Sequence, residues 1–270
     1  MERGSDSRRT KTLRKIKVHV CSFPIMPMGL FSLASTIERE GYSSKIINLG
    51  LEQELHSPLD LGKRIESINS KVYMIDLQWS IHSKGAIKTA ELCKKYHPQS
   101  LVVLGGMTAT WFSKEIILKN KSVDAIVLGE AEKSTVKLLK TYFSSGSFND
   151  VEGLTYRRNG SIKQNAIGKP PSNLDEFDFV RPDLMEGWEA YLKARVGGYQ
   201  RSAPSTFWLP IMRGCMYDCI HCGGGHTAYR LISGRDSIAS RSPEKVAEDV
   251  EKLCEQGVRL VSFSHDPQML

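Results

Sequence analysis

The chain has 270 residues, of which 40% are hydrophobic and 25% charged, a composition typical of one large or two ordinary globular domains. No segment approaches the roughly 18 consecutive apolar residues of a membrane-spanning helix, and the N-terminus lacks the apolar part of a signal peptide. Much of the formal net charge of +7 lies in residues 1–17, where no aromatic side chain is present to stack on bases. We expect a cytoplasmic protein with a basic, disordered tail over residues 1–15 and with no membrane or nucleic-acid partner.

From residue 16 onward, short apolar segments alternate with longer amphipathic ones. The pattern predicts strands over residues 16–23, 44–50, 72–78, 100–106 and 124–130, and helices over residues 27–42, 59–69, 82–98, 113–121 and 132–145. Strands that alternate with helices in this way form right-handed βαβ crossovers and a parallel sheet covered on both faces. Residues 16–145 are therefore predicted to form a doubly wound, Rossmann-like α/β domain.

Residues 146–204 have a different character. Residues 148–165 have the pattern of a β-hairpin with Asn159-Gly160 as its turn, and a proline-rich acidic segment over residues 168–179 follows. A segment rich in proline forms neither a regular helix nor a central strand. We expect residues 146–204 to connect two domains.

A second β/α domain begins at residue 205. Residues 205–212 and 259–266 are predicted strands, and residues 242–258 are a predicted helix with Ser242 as its N-cap and Pro243 in its first turn. We expect the printed sequence to end within this domain.

Three of the six cysteines lie within eight residues, as Cys215, Cys219 and Cys222 in the spacing C-x3-C-x2-C. Three thiolates so close together can hold three corners of an iron–sulfur cube and leave the fourth iron open to a small molecule. The alternative is a zinc site of the Cys₃His type that includes His226. The scattered cysteines Cys21, Cys93 and Cys254 are expected to be buried core thiols.

This spacing, with Arg213-Gly214 before it and a strand before that, resembles the radical S-adenosylmethionine (radical SAM) superfamily. The resemblance implies that the three cysteines bind a [4Fe–4S] cluster, which reduces S-adenosylmethionine to a 5′-deoxyadenosyl radical that abstracts hydrogen from a substrate. It also implies a reductant such as ferredoxin or flavodoxin. Two features depart from the family pattern: His221 replaces an aromatic residue, and Ser264-His265-Asp266 stands where a Gly-Gly-Glu-like segment is common. Ser264 and Asp266 are the residues that we expect at the S-adenosylmethionine.

Residues 102–111 and 123–139 together resemble the cobalamin-binding domain that precedes the cysteine motif in many radical SAM enzymes. The resemblance covers residues 16–145 and implies that the loops after the third, fourth and fifth strands cradle a corrinoid. The implied contacts are Gln78, Trp79 and Ser80, then Gly105, Gly106, Met107 and Thr108, then Gly129 and Glu130. The Asp-x-His-x-x-Gly motif is absent, so this domain is not expected to supply a histidine to cobalt. Trp79 and Trp111 have the alternative interpretation of core residues.

Three hypotheses for function follow. The leading one is a cobalamin-dependent radical SAM methyltransferase that acts on an unreactive carbon. The second is a radical SAM enzyme of rearrangement or oxidation type whose N-terminal domain does not use cobalamin, and the third is a non-catalytic zinc or iron–sulfur module. Residues 205–270 would supply only the first β/α units of a partial (β/α) barrel that needs about six, so we expect the chain alone to be incomplete as an enzyme. The sequence identifies neither the substrate nor the oligomeric state.

Overall fold

The structure, a computed structural model, describes residues 14–15, 17–20, 28–56, 58–194 and 205–264. Cys21, Asp266 and residues 1–13 of the predicted tail lie outside the described residues. Of the predicted tail, Arg14 and Lys15 form a short strand, β1 (Arg14–Lys15), which pairs in parallel with β3 (Tyr42–Ser43). Arg14 and Lys15 are therefore part of a strand, although they lie before the predicted boundary at residue 16.

The centre of the first domain is a parallel sheet, as the sequence predicts. Its strands are β2 (Lys17–Val20), β4 (Ile46–Ile47), β5 (Val72–Asp76), β6 (Leu101–Gly105) and β7 (Ala125–Val127), in the spatial order β4-β2-β5-β6-β7. This is the flavodoxin-like order of a doubly wound sheet. The order in which successive strands are added to the sheet reverses between β2 and β5, which are themselves parallel. Ligands of such folds bind at the carboxyl ends of the strands beside this switch point.

Helices cover both faces of the sheet. They are α1 (Met28–Arg39), α2 (Leu49–Leu55), α3 (Leu61–Ser67), α4 (Ser83–Tyr96), α5 (Met107–Trp111), α6 (Ser113–Lys119) and α7 (Glu132–Phe143). Helices α1 and α7 pack with one face through a cluster that includes Ile37 and Leu138, whereas α3, α4 and α6 pack with the other. Because both faces are covered, β5 and β6 are buried over all but their last residue.

The predicted hairpin is present, but it belongs to the first domain. Strands β8 (Leu154–Arg158) and β9 (Ser161–Gln164) are antiparallel, and β8 pairs with β7 at the edge of the central sheet. The turn residues Asn159 and Gly160 have φ values of 48° and 77°, as the two central residues of a type I′ turn require. At the opposite edge, β10 (Met185–Glu186) pairs with β4 and leads into α8 (Trp188–Ala194). The connecting region thus closes both edges of the sheet.

The second domain consists of two short sheets and two helices. Strands β11 (Thr206–Leu209) and β14 (Leu260–Phe263) are parallel, and β12 (Met212–Arg213) pairs with β13 (Ala239–Ser240) in the antiparallel sense. The helices are α9 (His226–Ser233) and α10 (Pro243–Glu255), and Ser242 caps α10 by accepting a hydrogen bond from the Lys245 amide at 3.2 Å. The predicted β/α/β unit is therefore present, with α9 as an element that the sequence pattern did not predict.

A shared hydrophobic cluster joins the two domains. Phe31 of α1, Phe179 of the connecting segment, and Phe207 of β11 belong to one buried group of side chains. The rings of Phe31 and Phe207 stack with their centroids 6.0 Å apart. The position of the second domain on the first is therefore set by apolar packing as well as by the chain connection.

The two scattered cysteines within the described residues differ in burial. Cys93 is fully buried on α4, as predicted, and burial raises the pKa of its thiol to about 12. Cys254 is exposed on α10, so its prediction as a core thiol is wrong. The face of α10 that packs inward carries Asp249 and Leu253, and Cys254 lies beside that face.

Within the described ranges, no helix has both the length and the apolar character needed to cross a bilayer.

Candidate functional site

A cavity of about 410 Å³ opens at the carboxyl end of the parallel sheet. Its walls come from the loops that follow β5, β6 and β7, from α1 and from α9. Seven of the nine predicted corrinoid contacts line it: Gln78, Trp79, Gly105, Gly106, Met107, Gly129 and Glu130. The structure therefore brings three separate loops together around one space, at the position where doubly wound sheets bind ligands.

The other two predicted contacts lie behind the cavity wall. Thr108 donates its hydroxyl hydrogen bond to the carbonyl oxygen of Gln78 at 3.0 Å, which ties the loop after β6 to the loop after β5. Ser80 begins a short 3₁₀ turn and its carbonyl oxygen accepts a hydrogen bond from Ser83 at 2.6 Å. These two residues shape the loops and do not line the space itself.

The three glycines that line the cavity at the ends of β6 and β7 have different physical roles. Gly106 has a φ of 102°, and a Cβ atom there would lie 2.8 Å from the carbonyl of Leu77. Gly129 has a φ of 67°, and a Cβ atom there would lie 3.1 Å from the backbone of Ser233 in α9. At Gly105 the nearest atom to such a Cβ would be 3.9 Å away. The fold therefore requires glycine at 106 and 129, whereas residue 105 faces open space.

Asp76 is a functional candidate that the sequence analysis missed. It ends β5, lines the cavity, and is paired in the sheet with Gly105. Burial raises the pKa of its carboxyl to about 7, although the backbone N–H of Gln78 opposes part of that shift. The signal in the sequence was an acidic residue directly after four buried apolar residues, at the carboxyl end of a central strand. Near neutral pH this group can both hold and release a proton inside the cavity.

We predict that Asp76→Asn makes the chain more stable than the wild type at pH 8. The folded-state pKa of about 7 is above the ordinary value, so the stability linked to this group is present below about pH 4 and is lost as the pH rises through 7. Asparagine does not ionise, so the gain should be largest at pH 8, at up to about 4 kcal/mol, and should fall to less than half of that at pH 5. Urea unfolding of both chains at the two pH values measures it, and a gain independent of pH would contradict it.

Helix α9 forms the side of the cavity that faces the cysteines. Its residues Ala228, Tyr229, Ile232 and Ser233 line the space, and the helix begins four residues after Cys222. The spacing of 228 and 232, and of 229 and 233, places these side chains on one face of a helix. The cavity is therefore built from both domains, and the helix that completes it belongs to the cysteine segment.

The two tryptophans near the site are not core residues. Trp79 is 50% exposed and packs against His82, with the ring centroids 5.5 Å apart. Trp111 is 58% exposed and lies beside Cys219 and Cys222 in a shallow hollow. The alternative interpretation of both as core residues is therefore wrong, and each is accessible to a ligand or to another part of the protein.

The cysteine loop is ordered by hydrogen bonds from its own backbone. The sulfur of Cys215 accepts the Tyr217 amide at 3.4 Å, and the sulfur of Cys222 accepts the Gly224 amide at 3.4 Å. The thiolate is the form of cysteine that binds metal. Cys219 and Cys222 are exposed and Cys215 is half-buried. The loop thus presents its thiols outward instead of burying them in a core.

Asp218 fixes the loop to the start of α9. Its carboxylate accepts both the amide and the hydroxyl of Thr227 at 2.7 Å, and these bonds hold the pKa of Asp218 below its ordinary value. Gly225 fits closely beneath, because a Cβ atom there would lie 3.0 Å from the Asp218 carboxylate. The orientation of the cysteine loop relative to α9 is therefore defined by local contacts.

A single zinc ion and an iron–sulfur cluster require different arrangements of ligands. In the part of the chain that the structure describes, no three His, Cys, Asp or Glu side chains converge on one ion. A zinc ion needs its ligand atoms within about 2.3 Å of one point, whereas a cubane cluster takes one thiolate at each of three different irons. His221 is exposed. Ser264 directly follows β14, and its amide donates to the Leu209 carbonyl at 3.1 Å.

Comparison with known proteins shows which family the first domain resembles. Residues 14–139 match the family model described as the B12 binding domain. The matched residues include the parallel sheet and all three loops of the cavity. The hopanoid C-3 methylase of Methylococcus capsulatus is 26% identical over 238 residues, which are 87% of this chain and 42% of the methylase. The matched family model and the relatives named here indicate the cobalamin-binding subgroup of the radical SAM proteins.

Further relatives are similar over a large part of the chain. The anaerobic magnesium-protoporphyrin IX monomethyl ester cyclase of Rubrivivax gelatinosus is 28% identical over 63% of this chain and 29% of the cyclase. The radical S-adenosylmethionine methyltransferase TsrM from Kitasatospora setae, solved with a tryptophan substrate and a SAM analogue, has a TM-score of 0.72 at 15% identity over 93% of this chain and 47% of TsrM.

The cobalamin-dependent S-adenosylmethionine radical enzyme OxsB, solved with aqua-cobalamin and S-adenosylmethionine, has a TM-score of 0.71 at 14% identity over 96% of this chain and 35% of OxsB. At these identities the likeness to the solved structures is one of fold. The chain spans less than half the length of each relative named here.

Proposed function

We propose that this chain is the corrinoid- and cluster-bearing part of a radical SAM enzyme, and that the enzyme is a methyltransferase acting on an unreactive carbon. One observation carries the proposal. The helix that directly follows the three cysteines, α9, is also a wall of the cavity of the B12-binding domain. A corrinoid in that cavity would lie directly beside the cysteine segment, within one continuous site.

The cavity residues suit a corrinoid. Gly105 leaves open space at the end of β6, so a large planar ligand can approach the backbone there. The walls from α1 and β5 are mostly apolar, with Leu33 and Met74 among them, and Asp76 is an acidic group at the end of β5. The sequence has no Asp-x-His-x-x-Gly motif, so we propose that the corrinoid binds without a histidine from such a motif.

The cysteine loop would hold the cluster through Cys215, Cys219 and Cys222. When bound, the cluster would supply the electron that cleaves S-adenosylmethionine, and the corrinoid would carry a methyl group. Ser264, at the carboxyl end of β14, lies beside the end of β11 and therefore at the same edge as the cysteine loop. We propose that Ser264 and Asp266 contact the amino acid part of S-adenosylmethionine, and that ferredoxin or flavodoxin supplies the electron.

The second candidate is an oxidation or cyclisation of the type named for the magnesium-protoporphyrin cyclases. What favours it is their identity of 26–28% to this chain, which equals that of the methylase. The methylase covers 87% of the chain and each cyclase about 63%, so the methyltransferase proposal stands first.

Cofactor binding by the wild-type chain tests the proposal. After anaerobic reconstitution with iron, sulfide and hydroxocobalamin, followed by gel filtration, we expect about four irons and about four sulfides per chain. We also expect a retained corrinoid, seen by its visible spectrum. Iron and sulfide without corrinoid would support the cluster and contradict the cobalamin-dependent methyltransferase. One zinc per chain, with no sulfide, would contradict the proposal as a whole.

A further inference from the structure

Charged side chains fasten both ends of the cysteine segment to the B12-binding domain. Arg213, the last residue of β12, stands two residues before Cys215, and Arg235 stands two residues after the end of α9. Both guanidinium groups bind carboxylates in the short stretch after β7, namely those of Glu130 and of Glu132 at the start of α7. The loop with the three cysteines and the helix α9 therefore lie between two anchored ends.

The guanidinium group of Arg213 contacts two carboxylates and two aromatic rings. It donates to Glu132 at 2.5 and 3.2 Å and to Glu130 at 3.0 Å. The guanidinium carbon also lies 5.5 Å from the ring centroids of both Phe177 and Phe179. A planar group held by two carboxylates and two rings has little rotational freedom. The backbone that leads into the cysteine loop is thus fixed in direction as well as in position.

Arg235 anchors the other end on one of the same carboxylates, that of Glu130. It donates to the two oxygens of Glu130 at 2.5 and 2.8 Å and to the Pro171 carbonyl at 2.7 Å, and its side chain is 3% exposed. Glu132 in turn accepts the Ser32 hydroxyl of α1 at 2.6 Å. The network therefore reaches from the cysteine segment through the N-terminal end of α7 to the helix that covers the same face of the sheet.

The two anchored ends touch each other. Gly214 has a φ of 98°, and a Cβ atom there would lie 2.8 Å from the Ser237 carbonyl oxygen and 3.1 Å from the side chain of Arg235. The start of the cysteine loop therefore rests directly on the second arginine. A displacement of either arginine would therefore also displace the backbone that leads to Cys215.

The charges of the network balance, and burial makes each partner necessary. Burial alone would raise the pKa of Glu132, but the charge and hydrogen bonds of Arg213 and the Ser32 hydroxyl hold that pKa below its ordinary value. The carboxylate is therefore ionised at neutral pH. Removing one member of a buried ion pair leaves an uncompensated charge, which is far more costly than the loss of an exposed pair.

We propose that Arg213, Arg235, Glu130 and Glu132 are positioning residues that fix the spacing between the cluster and the corrinoid. Three of them, Arg213, Glu130 and Glu132, also line the cavity, so the network is the wall between the corrinoid space and the cysteine segment. The proposal rests on the proposed function for the identity of the two cofactors. The anchoring of the cysteine segment is a property of the chain itself and is testable without them.

Pulsed EPR on the reconstituted chain measures the spacing directly, between the reduced cluster and cob(II)alamin. The wild type should give one narrow distance distribution. Glu132→Gln keeps the shape of the side chain but removes its charge, and Arg213→Lys keeps the charge but loses the forked geometry. Both variants should keep the iron content of the wild type, because the cysteines are intact, and both should broaden the distribution. A narrow distribution in both would overturn the proposal.

Glu52→Gln is the matched control. Arg64 binds Glu52 through two of its nitrogens, at distances of 2.6 and 2.8 Å, and the two side chains are 20% and 17% exposed. This pair joins α2 to α3 and does not touch the cysteine segment. Its loss should lower stability without broadening the distance distribution. Equal broadening by Glu52→Gln and Glu132→Gln would show a general loosening of the fold and would also overturn the proposal.

Amide hydrogen exchange of the cofactor-free chain tests the anchoring of the cysteine segment separately from the identity of the cofactors. In Glu132→Gln the amides of α9 should exchange about tenfold faster than in the wild type, or more, while those of α4 keep their rates. Unchanged protection of α9 would overturn the anchoring whether or not cofactors bind. A wild-type chain that binds neither iron nor corrinoid would instead overturn the proposed function, and the exchange rates would still decide the anchoring.

Discussion

Anaerobic reconstitution of a chain in which Cys215, Cys219 and Cys222 are all replaced by alanine is expected to give protein without iron or sulfide. Each thiolate would hold a different iron, so loss of all three removes every covalent link between cluster and chain. Among the described residues, no other group of three His, Cys, Asp or Glu side chains could take over. Iron and sulfide assays, with the visible spectrum of the cluster, measure the loss.

Cys254→Ala is the control for this experiment. Cys254 is an exposed cysteine on α10, outside the C-x3-C-x2-C segment, so the variant should keep the full iron and sulfide content of the wild type. The triple variant should also fold, because its three side chains are exposed or half-buried and such substitutions usually change stability by no more than about 0.5 kcal/mol. Iron and sulfide that survive in a folded triple variant would show that the cluster is bound elsewhere.

His226→Ala extends the same experiment to the zinc alternative. A Cys₃His zinc site would lose a quarter of its ligands and bind its metal poorly. A [4Fe–4S] cluster held by three cysteines would not depend on this side chain. We expect unchanged iron and sulfide in His226→Ala, and a metal content that falls with the imidazole would favour zinc.

Local sequence patterns were sufficient to predict the centre of the first domain. The strands β5 and β6 are buried on both faces, so each is a continuous apolar segment that ends where the cavity begins. The glycines after them, and the spacing of the three cysteines, are also local signals. These are features that physical chemistry imposes residue by residue, and they were enough to predict the fold. The subgroup was predicted from the resemblance of residues 102–111 and 123–139 to a known domain.

The rest of the site depends on contacts between distant residues, which no local pattern records. Arg213 and Glu130 are 83 positions apart in the sequence, and Arg235 and Glu130 are 105 apart. Glu130 was predicted as a corrinoid contact because it follows a strand, but both of its carboxylate oxygens are bound by arginines. Helix α9 is short and follows a run of three glycines, so its role as a cavity wall is visible only in the folded chain.

Gly105→Val is expected to prevent stable corrinoid binding without unfolding the chain. The backbone of Gly105 is in strand conformation, and a Cβ atom there would have 3.9 Å to its nearest neighbour, so valine fits the empty site. The same side chain would occupy space that we assign to the ligand. Overpacking of a filled site costs about 1–3 kcal/mol, so binding should weaken by roughly one to two orders of magnitude. Retention of hydroxocobalamin through gel filtration, and titration of its visible spectrum, measure the effect.

Gly106→Ala is the contrasting variant, because we expect it to destabilise the fold itself and not only corrinoid binding. A Cβ atom at residue 106 would lie 2.8 Å from the Leu77 backbone, and its φ of 102° is strained for any L-residue. That variant should lose about 1–3 kcal/mol of stability even without corrinoid, whereas cofactor-free Gly105→Val should unfold at the denaturant concentration of the wild type. If Gly105→Val binds hydroxocobalamin as tightly as the wild type, the corrinoid does not occupy the space at the end of β6, and the cavity would have to serve another ligand. If Gly105→Val instead unfolds as readily as Gly106→Ala, residue 105 belongs to the fold and loss of corrinoid carries no information about the site.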